Sequence, residues 1–274
     1  DEWRQTTRRM SRDQERKLIV KVQTQILAEF TTQRRDRQSL EALGLVGVAY
    51  FEEGREPDFS SLANRIGLTA EQTRTLIEYL LDDLRSAKVV VLPNGVHRDD
   101  PVFGRNQFSP RLIKGGSPGP HEISWIGATP RQRRRQYVQL VLKTNGLLAD
   151  DKAVEDTLSA IWEWLVRESD LLDGRPADGY QLRYQSLFFR TDYDWYRCKQ
   201  CQRLHYRGDS LPCPQPNCGG ELQPILYRDG LRDNFYFWTF DRGVIPMRVE
   251  EHTAQLDSEK GREYQDEFRD GNIN

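Results

Sequence analysis

The stretch DFSSLANRIGLTAEQTRTLIEYLLDDLRSAKVVVLPNG, residues 58–95, decides the fold of this chain. Asp58 stands at a helix N-cap before the apolar pair Leu62 and Ile66, four residues apart, and Gly67 ends that short helix. Thr69 caps a second helix, with Glu71 near its start. Leu76, Ile77, Leu80, Leu81 and Leu84 fall on one stripe of it. The run Val89–Leu92 reads as a strand, and Pro93-Asn94-Gly95 as the turn of a β-hairpin. A short helix, tight turn, longer helix and hairpin predict a winged helix–turn–helix. The polar face of the second helix offers Gln72, Arg74 and Thr75 to a nucleic acid, but also Glu71, Glu78, Asp82 and Asp83, which repel phosphate. Groove reading and a purely architectural use of the motif both fit this face.

Working outward, Leu18, Ile19, Val22, Ile26, Leu27 and Phe30 recur at helical spacing between Ser11 and Arg35, and LVGVAYF (residues 45–51) reads as a buried strand. Downstream, ATPRQRRRQYVQLVLKTNG (residues 128–146) predicts a helix capped by Thr129 and opened by Pro130. Its first turns hold Arg131, Arg133, Arg134 and Arg135. Cations at a helix N-terminus oppose the macrodipole, so this cluster points to an anionic partner, with a DNA phosphate backbone first. A solvated helix face is the competing reading. Val154, Leu158, Ile161, Trp162 and Leu165 mark a further helix that pairs with it as a helical hairpin. The segment DLLDGRPADG (residues 170–179) reads as a breaker-rich linker. After it, YQLRYQSLFFRTDYDWYRC (residues 180–198) alternates like strands. Its Arg183, Tyr184, Phe189, Arg190 and Trp195 suit either stacking on unpaired bases or, as alternation favours, the small core of a ribbon.

All four cysteines, Cys198, Cys201, Cys213 and Cys218, follow in the pattern C-x2-C-x11-C-x4-C. Two tight turns that each supply a thiolate pair are what a tetrahedral structural zinc requires, and the Pro and Gly residues of CPQPNCGG favour the second bend. Two disulfides would suit a small secreted domain, and a redox pair would need a βαβ context that is missing. His205, between the pairs, can replace a cysteine, although with four thiolates present it reads as a surface or stacking residue. The cysteines leave no open coordination position, so the metal is structural rather than catalytic.

The chain has 274 residues, a charged fraction of 30%, a hydrophobic fraction of 37% and a formal net charge of -2. That near-neutrality hides segregation. From Pro101 to Lys143, the cations Arg105, Arg111, Lys114, Arg131, Arg133, Arg134, Arg135 and Lys143 meet a single acid, Glu122. From Asp241 onward acids prevail. One strongly basic surface is therefore compatible with a neutral whole. No apolar run reaches the roughly 18–20 residues of a membrane span, and DEWRQTTRRM lacks the apolar core of a signal peptide. Both ends read as cut from something longer, and the expectation is a cytoplasmic piece of a larger protein without a membrane partner.

The last stretch, NFYFWTFDRGVIPMRVEEHTAQLDSEKGREYQDEFRDGNIN, reads as an apolar strand, a turn and a helix capped by Asp257 or Ser258. His252-Thr253-Ala254-Gln255-Leu256, followed by Arg262, Glu263 and Phe268, resembles the start of the second RecA-like lobe of superfamily 2 DEAD/DEAH helicases. The nearest similarity is to large bacterial DNA helicases of repair and phage-defence systems that carry an accessory zinc-binding module. The resemblance implies that His252, Thr253 and Gln255 border a nucleic-acid track. It also implies that the remaining helicase lobes of a parent chain are partners, alongside possible partner subunits. No G-x4-G-K-[ST] loop or final arginine-rich motif occurs in the sequence, and since its two D-E-x-x stretches, DEWR (residues 1–4) and DEFR (residues 266–269), follow no such loop, the DExx box is read as missing. ATP and Mg2+ therefore belong to the intact parent, and this chain alone is not expected to hydrolyse ATP. His97, His121, His205 and His252 form no H-E-x-x-H pair, and the acid pairs Asp82-Asp83 and Glu250-Glu251 read as polar faces or a strand end.

The fold expected from these readings is α+β. A winged helix with its long N-terminal helix occupies 1–115, a helical hairpin 116–175, a zinc ribbon 176–230, and the start of an incomplete RecA-like β-α unit 231–274. The function expected is the nucleic-acid-binding accessory region of a superfamily 2 DNA helicase. Its candidate residues are Arg74, Arg131, Arg133, Arg134, Arg135, His252, Thr253 and Gln255. A zinc-stabilised protein–protein adaptor is the alternative.

Overall fold

A computed structural model describes residues 11–31, 39–52, 54–104, 109–191, 194–208, 210–226, 230–231 and 234–241, with the single positions 262, 266 and 269. The fold is mixed α+β. Two compact units divide between Asn234 and Phe235.

In the first unit, α1 (Arg12–Thr31) leads to β1 (Gly47–Ala49), and then to α2 (Ser60–Ile66) and α3 (Ala70–Ser86). The turn between α2 and α3 has the expected chemistry. Gly67 takes the left-handed conformation at φ 77°, and Thr69 caps α3. Its reciprocal partner is Gln72 rather than the neighbouring Glu71: each side chain accepts the other's backbone N–H at 3.1 Å.

The strand after α3 departs from a winged helix. Val91 N–H donates to Leu182 O at 2.8 Å and Leu182 N–H to Val89 O at 3.0 Å, so Val89–Val91 joins a distant segment. Pro93–Val96 does form the expected turn, with Gly95 at φ 89°. Among the described residues, however, no strand returns beside it, and a 3-10 turn at Pro101–Phe103 follows. A long-range apolar edge has displaced the local hairpin, since strand preference reflects the available neighbours.

Next come β2 (Arg111–Ile113), β3 (Glu122–Ser124), α4 (Arg133–Thr144), α5 (Asp151–Arg167), β4 (Leu172–Arg175) and β5 (Gly179–Leu182). The four strands form one sheet in the order β3-β2-β5-β4. The segment read as a breaker-rich linker is thus the hairpin of β4 and β5, its glycines serving the turn. The α4 and α5 helices pack together as the expected hairpin. Yet α4 starts at Arg133, not at Pro130. Gln132 is its N-cap residue, and the Gln132 side chain accepts from Gly127 N–H at 2.7 Å instead of capping the helix.

Strand β6 (Phe188–Arg190) pairs antiparallel with β1. A three-stranded antiparallel sheet, β8-β7-β9, then holds the cysteines: β7 (Trp195–Cys198), β8 (Leu204–His205) and β9 (Leu222–Ile225). Of the aromatics in that alternating stretch, Trp195 is buried in the core, whereas Phe189 is 42% exposed.

One hydrophobic cluster runs from α1 through α3, α4 and α5 to Tyr206 and Leu211. At its centre lies α3, with Thr73, every residue from Thr75 to Leu81, Leu84 and Arg85 buried. The α1 stripe read from the sequence divides in two. Leu27 and Phe30 enter the core, whereas Leu18, Ile19, Val22 and Ile26 remain exposed on another face.

In the second unit, α6 (Phe235–Asp241) is helical where an apolar strand was expected, and Thr239 Oγ1 donates to Phe235 O at 2.9 Å. A short apolar run has no period that separates the two states. Arg262, Asp266 and Arg269 are also helical, and Arg269 pairs with Asp266 at 2.5 Å. His252, Thr253 and Gln255 lie outside the described residues, as do Glu263 and Phe268.

Candidate metal centre and adjoining cleft

The strands β7 and β9 bring the cysteine turns together. All four Sγ atoms lie within 4.8 Å of one another. A tetrahedron with 2.3 Å Zn–S bonds has edges of about 3.8 Å. Cys198 and Cys218 stand 3.5 Å apart, and Cys201 and Cys213 3.7 Å. These separations match tetrahedral edges and far exceed the ~2.05 Å of a disulfide, and the cysteines are free thiols. The donor set fits a structural Zn2+.

Backbone geometry favours the thiolate at one ligand, Cys198, whereas burial pushes the Cys201 and Cys213 thiols up. Burial raises the Cys198 thiol, but the backbone N–H groups of Cys201 and Gln200 outweigh it and bring the thiol down to about 7. Gly220 passes so close to the cluster that an added Cβ would stand 2.8 Å from both Cys198 Sγ and Gln200 Cβ. A Gly220→Ala variant is expected to bind zinc at least tenfold more weakly, read by competition with a chromogenic chelator, because supporting contacts set metal affinity at that scale.

His205 is not a surface residue. It is buried, its ring stands edge-on to Tyr79 with centroids 6.2 Å apart, and its Nε2 lies 3.4 Å from Cys213 Sγ. Burial, reinforced by the charge of Arg207, pushes the imidazole down to about 4, so the ring is neutral near pH 7. With a thiolate at Cys213, the Nε2–H is the donor, an outer-shell contact that orients the ligand.

The loop between the two cysteine pairs carries a residue that sequence reading passed over. Arg207 Nε pairs with Glu78 Oε2 at 3.0 Å, Nη1 pairs with Asp82, and Nη2 donates to Val48 O at 3.0 Å. Its guanidinium lies over the ring of Tyr206 at 4.4 Å and of Tyr79 at 5.2 Å. Arg85 extends the network, donating to Glu41 at 2.8 Å, to Asp82 at 3.0 Å and to Tyr50 Oη at 3.0 Å. Buried Glu78 and half-buried Asp82 and Asp83 are therefore partners of arginines, whereas Glu71 stays exposed. Glu78 and Asp82, one turn apart, carried the available signal for a facing cation.

The arginine cluster of α4 splits in the same way. Arg134 is 3% exposed, bonds Asp83 at 2.5 Å and Ser124 O at 2.7 Å, and lies over the Trp125 ring at 5.6 Å. Arg135 reaches Asp151 at 3.4 Å and Glu155 at 3.8 Å. Arg133 is largely exposed, with only a 3.5 Å approach to Asp83, whose carboxylate Arg134 already holds. Arg131 is exposed. Neither it nor the exposed Arg203 has an ion-pair partner among the described residues.

The candidates on α3 are engaged as well. Gln72 donates to Asn145 at 2.7 Å, Thr75 receives Ser210 Oγ at 3.4 Å, and Arg74 approaches Glu56 at 3.6 Å and Glu78 at 3.9 Å.

Between α3, the start of α4 and the metal-binding loop lies a cleft of about 660 Å³, with Tyr79, Asp83, Arg133, Arg203, His205 and Pro214 in its walls. Three of its four acids are committed to arginines, Glu41 to Arg85, Asp82 to Arg85 and Arg207, and Asp83 to Arg134, while the fourth, Glu29, accepts from Leu40 N–H at 2.8 Å. Arg133 and Arg203 leave it cationic. No helix among the described residues is long and apolar enough to cross a membrane. Comparison with protein-family models, curated proteins and solved structures gives no match for this chain.

Proposed function

We propose that the chain is a nucleic-acid-binding accessory region of an ATP-dependent superfamily 2 DNA helicase, without ATPase activity of its own. The observation that carries this reading is the cationic cleft rim. Arg133 and Arg203 line the cleft and are exposed, Arg133 with only a 3.5 Å approach to an Asp83 that Arg134 also holds and Arg203 with no ion-pair partner among the described residues, and Arg131 is exposed two positions before Arg133. On this reading α2 and α3 are the architectural form of a helix–turn–helix, and the β7–β9 sheet is a zinc ribbon. The residues after Phe235 are the threshold of a RecA-like lobe, whose remaining parts would supply the ATP and Mg2+ site. The setting is cytoplasmic.

The informative variant is Arg131→Ala with Arg133→Ala and Arg203→Ala. Arg134 and Arg135 stay in place, since their loss would disturb the fold. DNA binding by this variant is expected to weaken at least tenfold at low salt, with a shallower dependence of affinity on salt. Unchanged affinity would remove nucleic acid from the assignment.

The exposed apolar face of α1, Leu18, Ile19, Val22 and Ile26, favours a second reading as a protein–protein adaptor. An adaptor would bind neither single- nor double-stranded DNA across a salt titration.

A further inference from the structure

We infer that the metal centre is a reversible redox staple. A peroxide converts its four thiolates into two disulfides, Cys198–Cys218 and Cys201–Cys213, which release zinc and still hold the two cysteine turns together. The inference rests on the cysteine geometry and is independent of the nucleic-acid reading above.

Three observations lead to it. First, the thiolates have an entry side. Cys201 is half-buried and lies in the wall of the cleft, whose 660 Å³ far exceeds the ~30 Å³ that a water-sized molecule occupies. Cys218 is half-buried too, whereas Cys198 and Cys213 are sealed at 0% exposure. Oxidation follows thiolate character and access, so it begins at Cys201 and Cys218. Second, each of these two has a buried sulfur beside it. Cys218 Sγ stands 3.5 Å from Cys198 Sγ, and Cys201 Sγ 3.7 Å from Cys213 Sγ. Both approaches run from one turn to the other. The half-buried thiolate attacks the O–O bond of hydrogen peroxide, giving a sulfenic acid and hydroxide. Its buried neighbour then attacks the sulfenic sulfur, forming S–S and expelling a second hydroxide. Each pair thus gives two electrons to one peroxide. Each link also withdraws two thiolates from the donor set, and thiolate is the form that binds the metal. Third, the segment bracketed by the turns is built into the fold. Tyr206 Oη donates to Val48 O at 2.7 Å, and Arg207 Nε pairs with Glu78 at 3.0 Å. A Cys201–Cys213 link closes that same segment covalently, so zinc leaves without freeing Arg207.

The test titrates the zinc-loaded full chain with hydrogen peroxide beside a chromogenic chelator, then alkylates the remaining thiols and maps the peptides. One zinc is expected to leave per chain as two peroxides are consumed. Trypsin cuts after Lys199 and so separates Cys198 from Cys201. Both should be found linked to the peptide that holds Cys213 and Cys218, with fragmentation placing Cys198 on Cys218 and Cys201 on Cys213. Dithiothreitol with added zinc should restore the metal content. The oxidised, zinc-free chain should melt about 5 °C or more above the reduced chain stripped by a chelator, because a disulfide across a loop of this size still restrains the unfolded state. Zinc retained throughout the titration, a Cys198–Cys201 link, or sulfinic acids that dithiothreitol does not reverse would each overturn the inference. Oxidised and stripped chains that melt together would overturn it too, since the links would then hold nothing in place.

Discussion

Removing the metal is expected to loosen the whole first unit, not only the three-stranded sheet. The sheet has little core of its own: Cys198, Cys213 and Leu222 are its buried cluster. A structural zinc contributes an apparent ~10–16 kcal/mol in isolated fingers, as much as an entire small domain's stability of about 5–15 kcal/mol. Taken alone, those magnitudes would confine unfolding to the ribbon. The contacts of the loop between Cys201 and Cys213 extend it. Arg207 sits between Glu78 and Asp82, Tyr206 Oη donates to Val48 O at 2.7 Å, and Tyr137 Oη donates to Pro212 O at 2.9 Å. Each bond reaches from a metal-tethered segment into β1, α3 or α4. Without the tether, that segment regains its chain entropy and leaves buried Glu78 without Arg207 and half-buried Asp82 with Arg85 alone. Chelation, or Cys213→Ser, should therefore lower the melting temperature of the helical circular-dichroism signal by more than 10 °C, with one zinc released per chain. Helical melting that stays unchanged after confirmed zinc loss would show that the sheet is an independent appendage.

What could be read from the sequence follows from the range of the interactions involved. The α2–α3 turn was legible because Gly67 and Thr69 act within one helical turn, and the metal centre because thiolate pairs have few other uses inside a short loop. The partner of Val89–Val91 was not legible, since Leu182 lies some ninety positions away and nothing local distinguishes it from a returning wing. The same holds for charge. Arg131, Arg133, Arg134 and Arg135 are equivalent as letters, yet only three positions separate exposed Arg131, ahead of the helix, from Arg134 sealed over Trp125. The glycines of residues 170–179 misled in the opposite direction, marking a tight hairpin instead of a break between domains.

Arg207→Met should be the most damaging single substitution that spares the metal ligands. The methionine keeps much of the arginine's apolar bulk, so the loss is chiefly one of charge and hydrogen bonds. Arg207 is 6% exposed, and Glu78 is equally buried. Removing one partner from a buried ion pair costs about 3–5 kcal/mol, because the other charge remains without compensation. The pH dependence gives this mechanism a signature. Burial penalises the Asp82 carboxylate, but Arg207 and Arg85 outweigh it and hold its pKa below the ordinary value. The stability it contributes is thus present above the unfolded value, ~3.9, and is lost as pH falls through the lower folded value. Glu78 has the opposite sign. Burial outweighs Arg207 and Arg74 and raises its pKa, so ionising it costs stability as pH rises through its ordinary range near ~4.3. Taking away Arg207 drives both carboxyls upward. The deficit of the variant relative to the parent should accordingly be largest near pH 7 and shrink toward pH 4–5, where protons replace the missing guanidinium. Urea unfolding of both proteins at the two pH values measures this directly. Replacing Glu78 by Gln in the variant should recover part of the loss at neutral pH, since it removes one of the stranded charges. A deficit independent of pH, with no recovery from Glu78→Gln, would mean that Arg207 acts through its packing on Tyr206 and Tyr79, and that its charge is incidental.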